Sequence, residues 1–205
     1  MSRETDLSPV AGAEAISLVT RLTRELVADG TTRARVRALG DPVSLRATAR
    51  RMIDLPEDFR DLLVELHDAG AEFVVVGGHA VAFHGHPRAT KDLDVLVRAT
   101  PANATRVYRA LAAFGAPLHT FEVAEEDFAS YDGVLQIGLP PRRIDVLNRA
   151  DGITFDDAVA DGERFELDGR AIPVIGREAL LRNKRAAGRE QDLADVAALE
   201  ALVRG

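Results

Sequence analysis

The sequence predicts an α+β domain preceded by a helical arm, and three observations support this prediction. Apolar residues at helical spacing and short β-branched runs are both present in residues 53–205. Residues 1–52 carry helical spacing alone, with a break at residues 39–42. Aspartates recur inside two of the short apolar runs, although aspartate is a poor strand former. We therefore divide the chain into a helical arm, residues 1–52, and a folded domain, residues 53–205.

Composition excludes several classes of protein. The 205 residues are enough for one domain with a proper core and an appended arm. The sequence has no cysteine, which excludes disulfides, thiolate metal sites and cysteine nucleophiles. No apolar run approaches the roughly 20 residues of a membrane helix, and the N-terminus lacks the pattern of a signal peptide. We therefore expect a cytoplasmic protein with no membrane partner.

Charge is distributed unevenly between the arm and the domain. The net charge of −7 argues against a protein whose whole surface grips nucleic acid, since such proteins are usually basic. Arginines nevertheless crowd the arm: Arg33, Arg35, Arg37, Arg46, Arg50 and Arg51. They form either a solvated helical face or a docking patch for an acidic partner. The amphipathic spacing of residues 13–28 also suits a dimer element, so the arm is where a homodimer or a partner protein is expected.

The domain begins with a helix, a strand and a glycine turn. One apolar face predicts a helix from Pro56 that ends at Gly70. The Phe-Val-Val-Val run at residues 73–76 predicts a short buried strand. Gly77 and Gly78 follow at once, and residues 79–84 predict a helix that begins directly after the strand.

Residues 91–97 predict a second strand, along which side chains alternate between two faces. Leu93, Val95 and Val97 share one face, and Asp92, Asp94 and Leu96 share the other. In the rest of the domain, the sequence predicts a helix from residue 101 or 103 to Phe114 and a hairpin of strands 133–137 and 143–147. It then predicts a helix at 154–160, a strand pair at 163–167 and 171–174, and a final helix at 177–203 that breaks near Gly188.

Asp92 and Asp94 are the first candidate site. Period-2 geometry places both carboxylates on one face of the strand, where their like charges repel unless a cation binds them. Mg²⁺ takes hard oxygen ligands, commonly one or two carboxylates together with substrate phosphates. The alternative is an edge strand that carries charges against aggregation.

The glycine turn favours the first interpretation. Gly77 and Gly78 let the backbone approach a ligand closely, and free amides at a helix N-terminus attract phosphate. A plain tight turn is the alternative. The turn precedes the aspartate strand by about 14 residues, and the later strand supplies Asp145. A phosphate site with three carboxylates makes a two-metal phosphoryl-transfer site plausible.

These segments resemble the nucleotidyltransferase (polymerase-β-like) superfamily. The similarity lies in the Gly77-Gly78 turn, the Arg-Ala-Thr-Lys-Asp-Leu-Asp-Val segment at residues 88–95, and Arg-Ile-Asp-Val at residues 143–146. The sequence is similar in particular to the minimal bacterial branch related to AbiEii-type toxins. Members of that branch often carry a K-x-x-A-x-R-x-x-D-x-x-D helix. Lysine, arginine and both aspartates of that helix are present in residues 184–195. The resemblance covers roughly residues 55–200.

The resemblance implies a mixed sheet packed with helices and a set of site residues. Asp92 and Asp94 would hold Mg²⁺ on a nucleoside triphosphate, and Asp145 would complete the metal site and help deprotonate the attacking hydroxyl. Gly77 and Gly78 would face the phosphates through backbone amides. His79 departs from the serine or small polar residue that many active members have at this position. Because of this departure, the resemblance is a stronger basis for predicting the fold than for predicting catalytic turnover.

Further residues are candidates for binding nucleotide. Arg88 is expected either to clamp a phosphate or to pair with Asp92. Thr90 either supports the site or simply begins the strand, and Lys184 either reaches the phosphates or makes a surface salt bridge. Arg189, Asp192 and Asp195 are expected to form a solvated network. His84 and His86 are not spaced as a strong zinc pattern, so His84 is expected to position its loop by a hydrogen bond.

The sequence therefore predicts a Mg²⁺-dependent enzyme that transfers a nucleoside monophosphate from an NTP to a hydroxyl. The acceptor could be RNA, a protein or a small molecule, and the acidic composition favours the last two. The alternative is a module that binds nucleotide without transfer, or a toxin–antitoxin component that acts through a partner.

Overall fold

The computed structural model describes residues 55–130, 134–138 and 141–204. The predictions for the helical arm, residues 1–52, lie outside these described residues. Within them lie seven α-helices, a short 3₁₀ helix at Leu118–Phe121 and six strands. The helices are α1 (Glu57–Asp68), α2 (Gly77–Phe83), α3 (Pro101–Phe114), α4 (Asp127–Ser130), α5 (Phe155–Ala160), α6 (Arg177–Ala187) and α7 (Glu190–Arg204). The strands are β1 (Phe73–Val75), β2 (Asp92–Val97), β3 (Val134–Ile137), β4 (Arg143–Leu147), β5 (Glu163–Leu167) and β6 (Arg170–Val174).

The six strands form one mixed sheet in the order β3-β4-β2-β1-β6-β5. Strand β2 is parallel to β4 and antiparallel to β1, and β1 is parallel to β6. The hairpins β3-β4 and β5-β6 are antiparallel and lie at the two edges. The α+β prediction and both hairpin predictions are confirmed.

Burial explains why the central strands read as apolar runs. All three residues of β1 are buried, as expected for a strand covered on both faces. In β2, Leu93, Val95 and Val97 are fully buried, whereas Asp92 and Asp94 on the other face are partly accessible. The apolar face of α1 is buried in the same core.

Local capping fixes where two helices begin. The Thr100 side chain accepts a hydrogen bond from the backbone N–H of Asn103, and Pro101 occupies the first turn of α3. Thr154 and Asp157 form a reciprocal capping box at the start of α5. The predicted starts of both helices are confirmed to within two residues.

Glycines fix two further helix boundaries. Helix α2 begins at Gly77, two residues earlier than predicted, because the glycine turn is itself the first turn of the helix. The predicted break of the final helix near Gly188 is confirmed, and the segment forms two helices. Gly188 adopts a left-handed conformation with φ of 65°, which ends α6 before α7 begins at Glu190.

No helix in the described part of the chain is long and apolar enough to cross a membrane.

Candidate active site

The register between two parallel strands brings the predicted aspartates together. Asp92 on β2 is paired with Arg143 on β4, and Asp94 is paired with Asp145. Neighbouring strands lie about 4.8 Å apart, and residues two apart on a strand share a face. One face of the β2-β4 pair therefore carries Asp92, Asp94 and Asp145 together with Arg143. We call the three aspartates the carboxylate cluster.

The glycine turn lies directly against this cluster. A Cβ atom placed on Gly77 would lie 1.9 Å from Oδ2 of Asp94, and Gly77 has φ of 62°. Only glycine combines this conformation with this space. The backbone N–H of Gly78 donates a hydrogen bond to the Asp94 carboxylate. The Gly78 amide was predicted to face a phosphate. In this structure it instead holds the Asp94 carboxylate in place.

Burial and mutual repulsion make the cluster electrostatically strained. Burial raises the pKa of Asp94 to about 6, and the charges of Asp145 and Asp92 add to the rise, while Lys184 and the Gly78 amide oppose it. Burial also raises the pKa of Asp145; Arg143 opposes that rise and Asp92 adds to it. Oδ1 of Asp145 is buried without a hydrogen-bond partner. Unpartnered buried carboxylate oxygen is costly, so this atom is suited to binding a cation or a proton.

Arg143 is the functional candidate that sequence reasoning missed. Its Nη2 lies 3.0 Å from Oδ2 of Asp92 and 3.7 Å from Oδ2 of Asp145. Arg143 precedes Asp145 by two residues in a predicted strand, so strand periodicity alone could have placed it on the same face.

A group of buried ion pairs lies on the other side of the turn, and we call it the basic network. Asp195, fully buried, accepts hydrogen bonds from Nε and Nη2 of Arg88 at 2.7 and 3.0 Å. Nζ of Lys184 lies 2.8 Å from Asp195 and 2.7 Å from Asp192. Burial raises the pKa of Asp195, but the bonds from Arg88 and Lys184 outweigh it, so that the pKa is lowered overall. Arg88 also lies against the turn, because a Cβ on Gly78 would be 3.3 Å from its Nη2.

The basic network corrects three expectations. Arg88 pairs with Asp195, so the alternative in which it pairs with Asp92 is wrong, and Arg143 lies beside Asp92 instead. Lys184 is buried, so the surface salt bridge considered for it is wrong. The solvated network expected of Arg189, Asp192 and Asp195 is wrong for the two aspartates, because both are buried. Of these three residues, only Arg189 is largely exposed.

The three remaining candidate residues are Thr90, His79 and His84. Oγ1 of Thr90 donates a hydrogen bond of 3.3 Å to the carbonyl of Asp92 and lies close to Gly78. The His79 side chain is buried, with its ring edge-on to Phe59 at 5.7 Å between centroids. Burial, with a smaller contribution from Arg88, lowers the pKa of His79 to about 4. His84 bonds the carbonyl of Ile175 at 2.7 Å, which agrees with the positioning role expected of it.

The donor chemistry of the carboxylate cluster fits Mg²⁺. Its ligands would be hard carboxylate oxygens, one of them the unpartnered Oδ1 of Asp145. Among the described residues, however, no group of three or more His, Cys, Asp or Glu side chains is arranged to hold a metal ion. The guanidinium of Arg143 bridges Asp92 and Asp145 instead.

Comparison with known proteins identifies the class that this fold and cluster define. Residues 56–204 match the family model described as nucleotidyl transferase of unknown function (DUF2204). The chain belongs to this family. No curated protein matches the sequence significantly.

Two solved structures are similar to the chain. One is a nucleotidyltransferase candidate from Thermotoga maritima, with 16% identity, coverage of 80% of this chain and 92% of that chain, and a TM-score of 0.41. The other is an antigenic nucleotidyltransferase-like protein from Paracoccidioides brasiliensis, with 17% identity, coverage of 72% and 78%, and a TM-score of 0.41. The family model alone establishes the family.

Proposed function

We propose that the protein is a Mg²⁺-dependent nucleotidyltransferase that transfers a nucleoside monophosphate from an NTP to a hydroxyl acceptor. The observation that carries this proposal is the in-register pairing of Asp94 with Asp145 beside the Gly77-Gly78 turn. Family membership supports the class of reaction.

Each residue of the cluster has a role in this proposal. Asp92, Asp94 and Asp145 would hold Mg²⁺, which when bound would neutralise charge on the carboxylates and phosphates. Asp145, with its free Oδ1, accepts the proton of the acceptor hydroxyl. The acceptor oxygen forms a bond to the α-phosphorus, the bond from that phosphorus to the bridging oxygen breaks, and pyrophosphate leaves with the electron pair.

The nucleotide would lie between the cluster and the basic network. Arg88 lies against Gly78, and the charge of Lys184 opposes the raised pKa of Asp94, while both cations are also paired with Asp195. Gly77, Gly78 and the backbone of His79 form the first turn of α2, where amides favour phosphate. A phosphate at Gly78 would have to replace the hydrogen bond from its amide to Asp94. Thr90 holds the start of β2 against Gly78. Positioning and charge neutralisation provide most of the catalysis in phosphoryl transfer generally.

The substitution Asp94→Asn tests the proposal. It removes one carboxylate charge with little change of shape and should abolish Mg²⁺-dependent incorporation of label from α-labelled NTPs in cell extract. The exposed Asp156, which pairs with Arg98, provides a matched control as Asp156→Asn. Full activity of Asp94→Asn would rule the proposal out.

The acceptor is open to the same assay. Identifying which macromolecule or metabolite becomes labelled distinguishes an RNA end, a protein side chain and a small molecule. The net charge of −7 favours a protein side chain or a small molecule.

A second function is a module that binds nucleotide without transferring it. Two observations favour it: Arg143 bridges the carboxylates that would bind Mg²⁺, and His79 is buried where a small polar residue is common. Such a module could belong to the AbiEii-type branch and act in the cytoplasm as a toxin–antitoxin component through a partner. Calorimetry with NTP and Mg²⁺ separates the two functions, because binding without product in the labelling assay supports the module.

A further inference from the structure

Arg143 contacts the carboxylate cluster in an incomplete way. Both of its contacts, to Asp92 at 3.0 Å and to Asp145 at 3.7 Å, use the same Nη2 atom. Its Nε is buried and has no hydrogen-bond partner. A guanidinium can make two parallel bonds to one carboxylate, so Arg143 realises only part of its bonding capacity here.

Arg88, in the same protein, is held by a more complete set of hydrogen bonds than Arg143. It donates from both Nε and Nη2 to a single carboxylate, that of the fully buried Asp195. The Arg143 side chain and that of Asp92 are each 35% exposed, so water reaches their pair. Arg143 is thus held by charge rather than by a complete set of hydrogen bonds, and it is easier to displace than Arg88.

The ionised carboxylates of the cluster repel one another, and a cation in contact with them relieves that repulsion. Three carboxylates lie on one face of two adjacent strands, and in the described structure Arg143 is the cation in contact with two of them. A divalent cation on the same oxygens would repel the guanidinium at this distance.

We propose that Arg143 is the resident counter-ion of the carboxylate cluster and sets its affinity for divalent cations. Arg143 stabilises the cluster before a metal ion binds and moves off Asp92 and Asp145 when the ion enters. The inference rests on the proposed function, because it assumes that the cluster is the metal site. Arg143 is a positioning residue in this scheme and takes no part in bond making.

Titration calorimetry with Mn²⁺ as the probe tests the inference. Arg143→Met keeps much of the length of the side chain and removes its charge. Arg142→Met is the matched control, since Arg142 is the preceding residue, is exposed and changes the net charge equally. We expect Arg143→Met to bind Mn²⁺ about tenfold more tightly than wild type, Arg142→Met to match wild type, and Arg143→Lys to restore much of the wild-type affinity.

Melting temperatures measured in the absence of metal provide a second test of whether Arg143 acts as a counter-ion. In EDTA, Arg143→Met should have a lower melting temperature than Arg142→Met, and Mn²⁺ should raise that temperature more in Arg143→Met than in wild type. Equal or weaker Mn²⁺ binding by folded Arg143→Met would overturn the inference while leaving the metal site intact. If none of these proteins binds Mn²⁺, the metal part of the proposed function fails together with the inference. Loss of Mn²⁺ binding in Asp94→Asn locates the titrated site at the cluster.

Discussion

The Cα of Gly77 lies so close to the Asp94 carboxylate that a methyl group there would be 1.9 Å from Oδ2. The contact fixes the distance between the glycine turn and the strand that carries the aspartates. It also explains why the turn requires glycine for reasons of space as well as backbone conformation.

Gly77→Ala should therefore be more damaging than a glycine substitution at positive φ elsewhere. Gly70 is the control, because its φ of 66° is similar and nothing lies within 4 Å of its added Cβ. We expect Gly70→Ala to lower the free energy of unfolding by about 1–2 kcal/mol through backbone strain. Gly77→Ala should lose a further roughly 1–3 kcal/mol through overpacking against Asp94. Urea unfolding measures both, and equal losses would refute the steric argument.

Asp94→Asn should stabilise the protein while it removes activity. The folded state raises the pKa of Asp94 from 3.8 to about 6, so folding binds a proton there more readily than the unfolded chain does. The ionised carboxylate therefore costs stability above pH 6, and this cost disappears as pH falls toward 4. At pH 7.5 we expect Asp94→Asn to raise the free energy of unfolding by about 1–3 kcal/mol. The gain should shrink at pH 5, and an Asn variant less stable than wild type at pH 7.5 would contradict this account.

His79 should make the fold sensitive to mild acid. Its pKa is lowered from 6.5 to about 4 by burial and by Arg88, so the unfolded chain takes up the proton first as pH falls. Stability from His79 is thus complete above pH 6.5 and is lost progressively down to pH 4. From pH 7.5 to pH 5, wild type should lose about 2 kcal/mol more free energy of unfolding than His79→Gln does. Equal losses in wild type and His79→Gln between pH 7.5 and pH 5 would contradict this account.

Asp195→Asn tests whether the basic network is a structural support of the site. The substitution leaves the guanidinium of Arg88 and the ammonium of Lys184 short of one buried negative charge. Removing one partner of a buried pair costs about 3–5 kcal/mol. Asp168→Asn is the matched control, because Asp168 accepts a similar pair of bonds from Arg60 on an exposed surface, where less than about 1 kcal/mol is expected. A comparable small loss for both variants in urea unfolding would show that the network is not needed for stability.

Local periodicity was sufficient to predict most elements of the sheet and one face of the site. Asp92 and Asp94 fall on the accessible face of β2 because strand side chains alternate, and this depends only on neighbouring residues. The pairing of Asp94 with Asp145 could not be predicted from spacing, because a parallel register depends on how a long connection folds back. Family resemblance, rather than periodicity, placed Asp145 in the prediction.

Contacts between distant elements account for the remaining differences. A pair with Asp92, four residues away, was one of the two roles expected of Arg88, but its partner is Asp195, 107 residues away. Lys184 and Asp192 meet across the break at Gly188, with the lysine on α6 and the aspartate on α7.

That break has a consequence for how the site is assembled during folding. The sheet that holds the carboxylate cluster is complete by residue 174, whereas the basic network requires the chain to reverse at Gly188 and return to Arg88. The two halves of the site therefore depend on different parts of the chain, the cluster on the sheet and the basic network on α6 and α7. A molecule whose last helix has detached would retain all three carboxylates and an intact sheet but would have no partner for Arg88. Docking of α7 is therefore a single step on which the charge balance around the glycine turn depends.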